Sequence, residues 1–125
     1  MKYMLTLIGE ESGWQDSSPE EMEQIMSTWG EFEAELRESG AMIAGEALQP
    51  SPTATTVRIG EDGERVITDG PFAETKEQVG GFYLLECGDL DEALGWARKI
   101  PLRDGAVEVR AVFDTSEWLP KTPAQ

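Results

Sequence analysis

Histidine is absent from the 125 residues, and cysteine occurs once. Histidine is the side chain whose unperturbed pKa places its charge change near neutral pH. Its absence excludes Ser-His-Asp and Cys-His nucleophile chemistry within one chain. Structural zinc sites draw four ligands mostly from Cys and His, so no metal is expected. Basic side chains are scarce, 10 against 25 acidic ones, for a formal charge of −15. DNA affinity rests on cations that displace counterions from phosphates, so nucleic acid is not an expected partner. No apolar run approaches the roughly 18 residues of a membrane span. Residues 1–9 are too short an apolar opening for a signal peptide, and Glu10 and Glu11 follow at once. The expectation is a soluble cytoplasmic protein with no membrane partner. Cys87 has no partner for a disulfide within the chain and lies in an apolar run, which marks a buried thiol. Carboxylate, lysine, tyrosine and arginine chemistry survive these exclusions, as does binding without chemistry.

The length suits one domain, which we place at residues 1–113, with 114–125 as a C-terminal tail. Acidity is concentrated between Gly9 and Glu38, where ten acids face Arg37 alone. A solvated helix face accounts for this, with an acidic docking surface as the alternative.

Residues 3–8 (YMLTLI) suit a strand buried on both faces. Ser18, Pro19 and Glu21 form a capping box. Met22, Ile25, Met26, Trp29, Phe32 and Leu36 then recur at helical spacing until Gly40 caps the end. Residues 41–48 read as a strand in which Met42, Ala44, Glu46 and Leu48 share one face and Ile43, Gly45 and Ala47 the other. Residues 55–59 and 64–68 flank an Asp-Gly pair and predict a hairpin. The polar stretch 73–79 reads as a loop with at most one helical turn. Residues 81–87 (GFYLLEC) read as a central strand. Asp89 caps a second helix, whose inward stripe is Leu90, Ala93, Leu94, Ala97 and Ile100, ending at Pro101. Residues 106–113 form the last strand. Trp118, in the tail, is expected to dock on the body or on a partner subunit.

The fold class is therefore α+β, a ferredoxin-like β-α-β-β-α-β order with an inserted hairpin and loop. Two helices cover one face of the antiparallel sheet. The strands look apolar on both faces, so a second copy is the simplest cover, and a homodimer is expected.

Asp69-Gly70-Pro71-Phe72-Ala73-Glu74-Thr75-Lys76-Glu77, followed by Gly80-Gly81-Phe82-Tyr83, resembles the YCII-related proteins that carry a DGPF motif. Residues 2–5 (KYML), 44–50 (AGEALQP), 54–58 (ATTVR), Asp91-Glu92-Ala93 and Ile100-Pro101 follow the same pattern. The resemblance implies a dimeric α+β barrel. The DGPF branch contains uncharacterised proteins, some encoded beside extracytoplasmic-function sigma factors, which points to a regulatory role. In the wider superfamily a dechlorinating member is associated with a His on the first helix and an Asp before a proline after the second. This first helix has no His, and Ile100 precedes Pro101, so that chemistry does not carry over.

The leading expectation is a small-molecule site in the cleft between sheet and helices, possible carboxylate-based catalysis included. Glu46 and Asp69 are the catalytic candidates. Glu46 lies on a largely apolar face where burial would raise its pKa. Arg58, Phe72, Lys76, Tyr83 and Trp29 are the ligand-binding candidates. Arg58 could pair with Glu46, and the Asp69 side chain could simply bond its own backbone two residues on. No phosphate loop, dinucleotide fingerprint or metal-ligand cluster is present in the sequence, so no cofactor is expected. The alternative is a non-enzymatic dimeric binding or regulatory module.

Overall fold

The computed structural model describes residues 1–11, 17–116 and 118. The elements are β1 (Lys2–Glu10), α1 (Pro19–Ser39), β2 (Met42–Ala47), a 3-10 turn (Ser51–Thr53), β3 (Thr55–Ile59), β4 (Arg65–Asp69), β5 (Glu77–Glu86), α2 (Leu90–Lys99) and β6 (Ala106–Ala111). Strands β2, β5, β1 and β6 lie in that order in one sheet, and β3 and β4 form a separate two-stranded one. Every pairing is antiparallel. This is the expected ferredoxin-like α+β order with a hairpin between β2 and β5. No helix among the described residues is long and apolar enough to cross a membrane.

Local chemistry accounts for the helix ends. The Ser18 hydroxyl accepts from the Glu21 N–H while the Glu21 carboxylate accepts from the Ser18 N–H, so two otherwise orphaned donors are satisfied. Gly40 takes the left-handed conformation (φ 79°), which a Cβ would oppose, and its N–H closes on the Arg37 carbonyl. At α2 the Asp89 carboxylate accepts from the Glu92 N–H at 2.9 Å.

The core lies between the helices and one face of the four-stranded sheet. Tyr3 and Leu5 of β1 and Tyr83 and Leu85 of β5 point into it, against Phe32 and Leu36 of α1, Ala93 of α2, and Ile100. Cys87 is buried beside them, as its apolar context predicted, and burial raises its thiol pKa, reinforced by nearby Glu92 and Glu86. The α1 stripe is buried only in its C-terminal half: Phe32 and Leu36 are enclosed, Met22, Ile25 and Trp29 are half-buried, and Met26 is exposed. The expected α2 stripe also needs one correction, because Leu90 is exposed at the first turn while Trp96 packs on the core.

Two bulges shift what simple alternation predicts. In β2, Met42 pairs with Leu85 but Ala44 pairs with Leu84, leaving Ile43 as an extra residue. Met42 therefore joins Gly45 on the helix side, and Ala44 and Glu46 lie on the other. In β5, Val79 pairs with Ile8 and Gly81 with Leu7, leaving Gly80 extra. The strand continues past it through Gln78 and Glu77, residues expected to be loop. Their backbone is paired by Gly9 and Glu10 of the long β1, so tertiary pairing overrides a polar local sequence.

The sheet's helix-free face carries Met4, Ala44, Phe82 and Leu84 at its centre, all half-buried. Glu46, Glu108 and Arg110 flank them, and Arg110 pairs with Glu108 at 2.7 Å. Trp118, expected to dock, sits 4.8 Å from the Phe113 ring (centroid to centroid) and stays 71% exposed.

Candidate functional site

The residues expected to share one cleft are distributed over four places. Tyr83 and Trp29 belong to the core between sheet and helices. Phe32 sits at its centre, edge-on to Trp29 (6.3 Å), Tyr83 (5.6 Å) and Trp96 (6.3 Å). These edge-to-face contacts are the favoured aromatic geometry. Rings occupy the space where a ligand was expected.

The Tyr83 hydroxyl donates to the Glu33 carboxylate on α1 at 2.8 Å. Burial, then the bond to Glu33 and its charge, push the Tyr83 pKa well above the ordinary tyrosine value, with Arg37 opposing. Tyr83 is thus a neutral donor that ties β5 to α1. Gly45 makes room for it, since a Cβ there would lie 2.6 Å from the Tyr83 ring. The acidic helix face is accordingly not wholly solvated. Glu33 holds Tyr83, and Glu35 pairs with Lys99 of α2 at 2.5 Å, whose ammonium also lies 5.2 Å from the Trp96 ring centre.

Glu46 is exposed on the opposite face of the sheet from Tyr83, across from Phe82. The bulge at Ile43 put it there, so the burial required for its acid-base role is missing in the single chain. Arg58 does not pair with it. The Arg58 guanidinium donates to the Phe72 carbonyl at 2.8 Å and lies 5.3 Å from the Phe72 ring centre, fixing the loop after β4 to β3. Asp69 ends β4 opposite Thr55, exposed, with no side-chain hydrogen bond or ion pair among the described residues. Its expected bond to its own backbone does not form, for a reason already visible in the sequence: the residue two positions on is Pro71, which has no N–H. The turn is instead held by the Gly70 N–H to the Ala54 carbonyl and by the Thr56 hydroxyl to the Gly70 carbonyl, both 2.7 Å.

Lys76 occupies the fourth place, a cleft of about 480 Å³ at the far end of the four-stranded sheet. Glu10 and Glu11 follow from β1, Pro50, Ser51 and Pro52 from the 3-10 turn, and Thr75, Lys76 and Gln78 from the loop and the start of β5. The volume is within the range of small-molecule sites, although the cleft is open to solvent rather than enclosed. Glu11 Oε2 accepts the Ser51 N–H at 2.7 Å, while Oε1 is shielded from solvent with no partner among the described residues. The Gln78 amide donates to the Ala73 and Thr75 carbonyls at 2.9 and 3.1 Å and holds the loop in shape. Glu11, Gln78 and the Pro50–Pro52 wall escaped the sequence reading. They are brought together by the pairing of β1 with β5 and by the turn after β2, and no spacing along the chain records that meeting.

Residues 1–116 match the YCII-related domain. An uncharacterised protein of Rhizobium meliloti (strain 1021) is 39% identical over 113 residues, covering 88% of this chain and 90% of its own length. With the ferredoxin-like order of its elements and a match that runs through both helices and the inserted hairpin, the chain belongs to the YCII-related family.

Proposed function

We propose that this protein is a homodimeric small-molecule-binding module of the DGPF branch, with the ligand held in the cleft at Lys76. The observation that carries the binding reading is that cleft: about 480 Å³, walled by three segments fixed by their own hydrogen bonds, and lined by a lysine with no ion pair among the described residues. Carboxylate-based catalysis is not part of this reading, since Glu46 and Asp69 are both exposed and lie apart, one on the four-stranded sheet and the other on the separate hairpin. A regulatory role for the ligand-bound dimer agrees with the sigma-factor association of the branch.

The dimer rests on the helix-free face. Its apolar centre of Met4, Ala44, Phe82 and Leu84 with a charged rim of Glu46, Glu108 and Arg110 has the anatomy of a protein interface. The hairpin supports the same reading. Val57 and Ile67 pair on one of its faces beside Ile59, all exposed, and an isolated two-stranded sheet is marginal in water. A second copy would cover both surfaces.

Light scattering tests the dimer: twice 13.8 kDa is expected, and a mass of 13.8 kDa at all concentrations refutes it. A fragment screen followed by backbone amide NMR tests the site. Perturbations centred on Thr75, Lys76 and Gln78 are expected, and a screen that leaves those amides unmoved refutes the cleft.

A further inference from the structure

The β3–β4 hairpin has two unlike faces. On one, Thr56 and Thr68 are half-buried, the Thr56 hydroxyl donates to the Gly70 carbonyl and Arg58 reaches over Phe72, so the loop after β4 closes against that side. On the other, Thr55 pairs with Asp69, Val57 with Ile67 and Ile59 with Arg65. All six are exposed, Val57 at 55%, Ile59 at 66% and Ile67 at 70%. Strands of a sheet present alternate residues to each face, so these six share one surface with an apolar centre.

The charges on that surface single out its occupant. Along β4 a cation, Arg65, precedes Ile67 by two residues and an anion, Asp69, follows it by two. Neither forms an ion pair among the described residues, and Arg65 donates only to the Gly63 carbonyl of its own turn, at 2.8 Å. A contact between identical surfaces requires groups related by the two-fold axis to be complementary. With the axis crossing the strands at Ile67, β4 runs antiparallel over its copy and Arg65 meets the partner's Asp69 twice. Ile67 and Val57 each meet their own copy, and Ile59 meets the partner's Thr55. The other face-to-face two-fold, along the strands, would set Arg65 on the partner's Ile59 and leave both charges unpaired. Chains of net charge −15 repel one another, so a contact between copies needs opposite charges placed locally, and this face supplies them.

We infer that the outer face of the hairpin docks on the same face of a second copy of this chain, β4 antiparallel over β4, with Ile67 on the two-fold axis and reciprocal Arg65–Asp69 pairs on either side. This rests on the homodimer reading above and assigns the hairpin's contact within it. Covering Val57, Ile59 and Ile67 gives the two-stranded sheet the burial it lacks in the single chain, and the reciprocal pairs fix the register of one hairpin on the other.

The test is position-specific cross-linking of the full chain, in which the native thiol, Cys87, is buried. Facing sheets stack about 10 Å apart and residues four positions apart on a strand are separated by about 13 Å, so a bis-maleimide of about 10 Å reach separates the possible registers. Ile67→Cys should cross-link to itself. Ile59→Cys alone should not, but should do so when mixed with Thr55→Cys. In the Ile67→Cys background, Arg65→Asp or Asp69→Arg sets like charges opposite each other twice, and either should lower cross-linking about tenfold. Mixing those two variants restores opposite charges at both places and should restore the cross-link. Equal cross-linking at residues 59 and 67, or indifference to the charge substitutions, overturns the hairpin contact. Absence of the Ile67→Cys product in a protein that light scattering shows to be dimeric overturns the contact and leaves the dimer, whereas its absence at a mass of 13.8 kDa overturns both.

Discussion

Replacing Tyr83 with phenylalanine removes one hydroxyl and leaves the ring among Phe32, Gly45 and Leu5. The lost contact is the 2.8 Å bond to Glu33. A hydrogen bond to a charged group contributes about 1.5–3 kcal/mol. Glu33 is only half-buried and regains part of its hydration, so the expected loss is about 1–2 kcal/mol. For a chain of this length that is a fall in Tm of about 4–8 °C. A pH signature separates this bond from general packing loss. The folded state holds the Tyr83 proton well above the ordinary tyrosine pKa, whereas the unfolded chain releases it near pH 10. The contribution is therefore fully present below about pH 10 and is lost as pH rises beyond it, at about 1.4 kcal/mol per pH unit. Urea melts of the wild type and Tyr83→Phe at pH 8 and again above pH 10 should show the stability gap narrowing at the higher pH. Tyrosinate absorbance supplies an independent check, because a tyrosine that titrates only on unfolding should vanish from the variant. A variant as stable as the wild type, or a gap unchanged by alkaline pH, refutes the reasoning.

Gly45→Ala places a methyl 2.6 Å from the Tyr83 ring and 2.9 Å from Met42 Cε. Overpacking of this kind costs about 1–3 kcal/mol, to be read in a denaturant midpoint that shifts without a change in slope. Arg58→Met removes the tie to the Phe72 carbonyl. Amide exchange should accelerate across residues 70–76 while global stability falls by less than about 1 kcal/mol, as expected for an exposed contact.

Much of the architecture was legible in the chain. Ser18 with Glu21, Gly40, and Asp89 with Glu92 act through atoms at most four residues apart, so local pattern located both helices. The Asp-Gly pair located the hairpin, and the order of elements indicated the sheet. Errors arose where a distant strand intervened. Alternation along residues 42–48 is a valid rule only without a bulge, and the extra Ile43 moved Met42 to the face opposite Glu46. Polar Glu77 and Gln78 became strand because β1 runs long enough to pair with them. Trp29 and Tyr83 looked able to line a pocket. Nothing local says that Phe32 and Trp96 fill the space between them or that Glu33 takes the Tyr83 hydroxyl. The stripe of α1 is equally regular throughout, yet the core encloses only Phe32 and Leu36.

Composition and short-range spacing by themselves determined the reaction classes left open, the helix ends, the fold class and the family resemblance. Each depends on residue identity or on contacts within one turn. Tertiary structure alone decided which polar groups meet. It sent Tyr83 to Glu33, Arg58 to Phe72 and Glu46 to the outer face. It also set Lys76 and Glu11 across one cleft, although 65 positions separate them in the chain. Such meetings depend on register, and one inserted residue in a strand is enough to turn a side chain to the other face of the sheet.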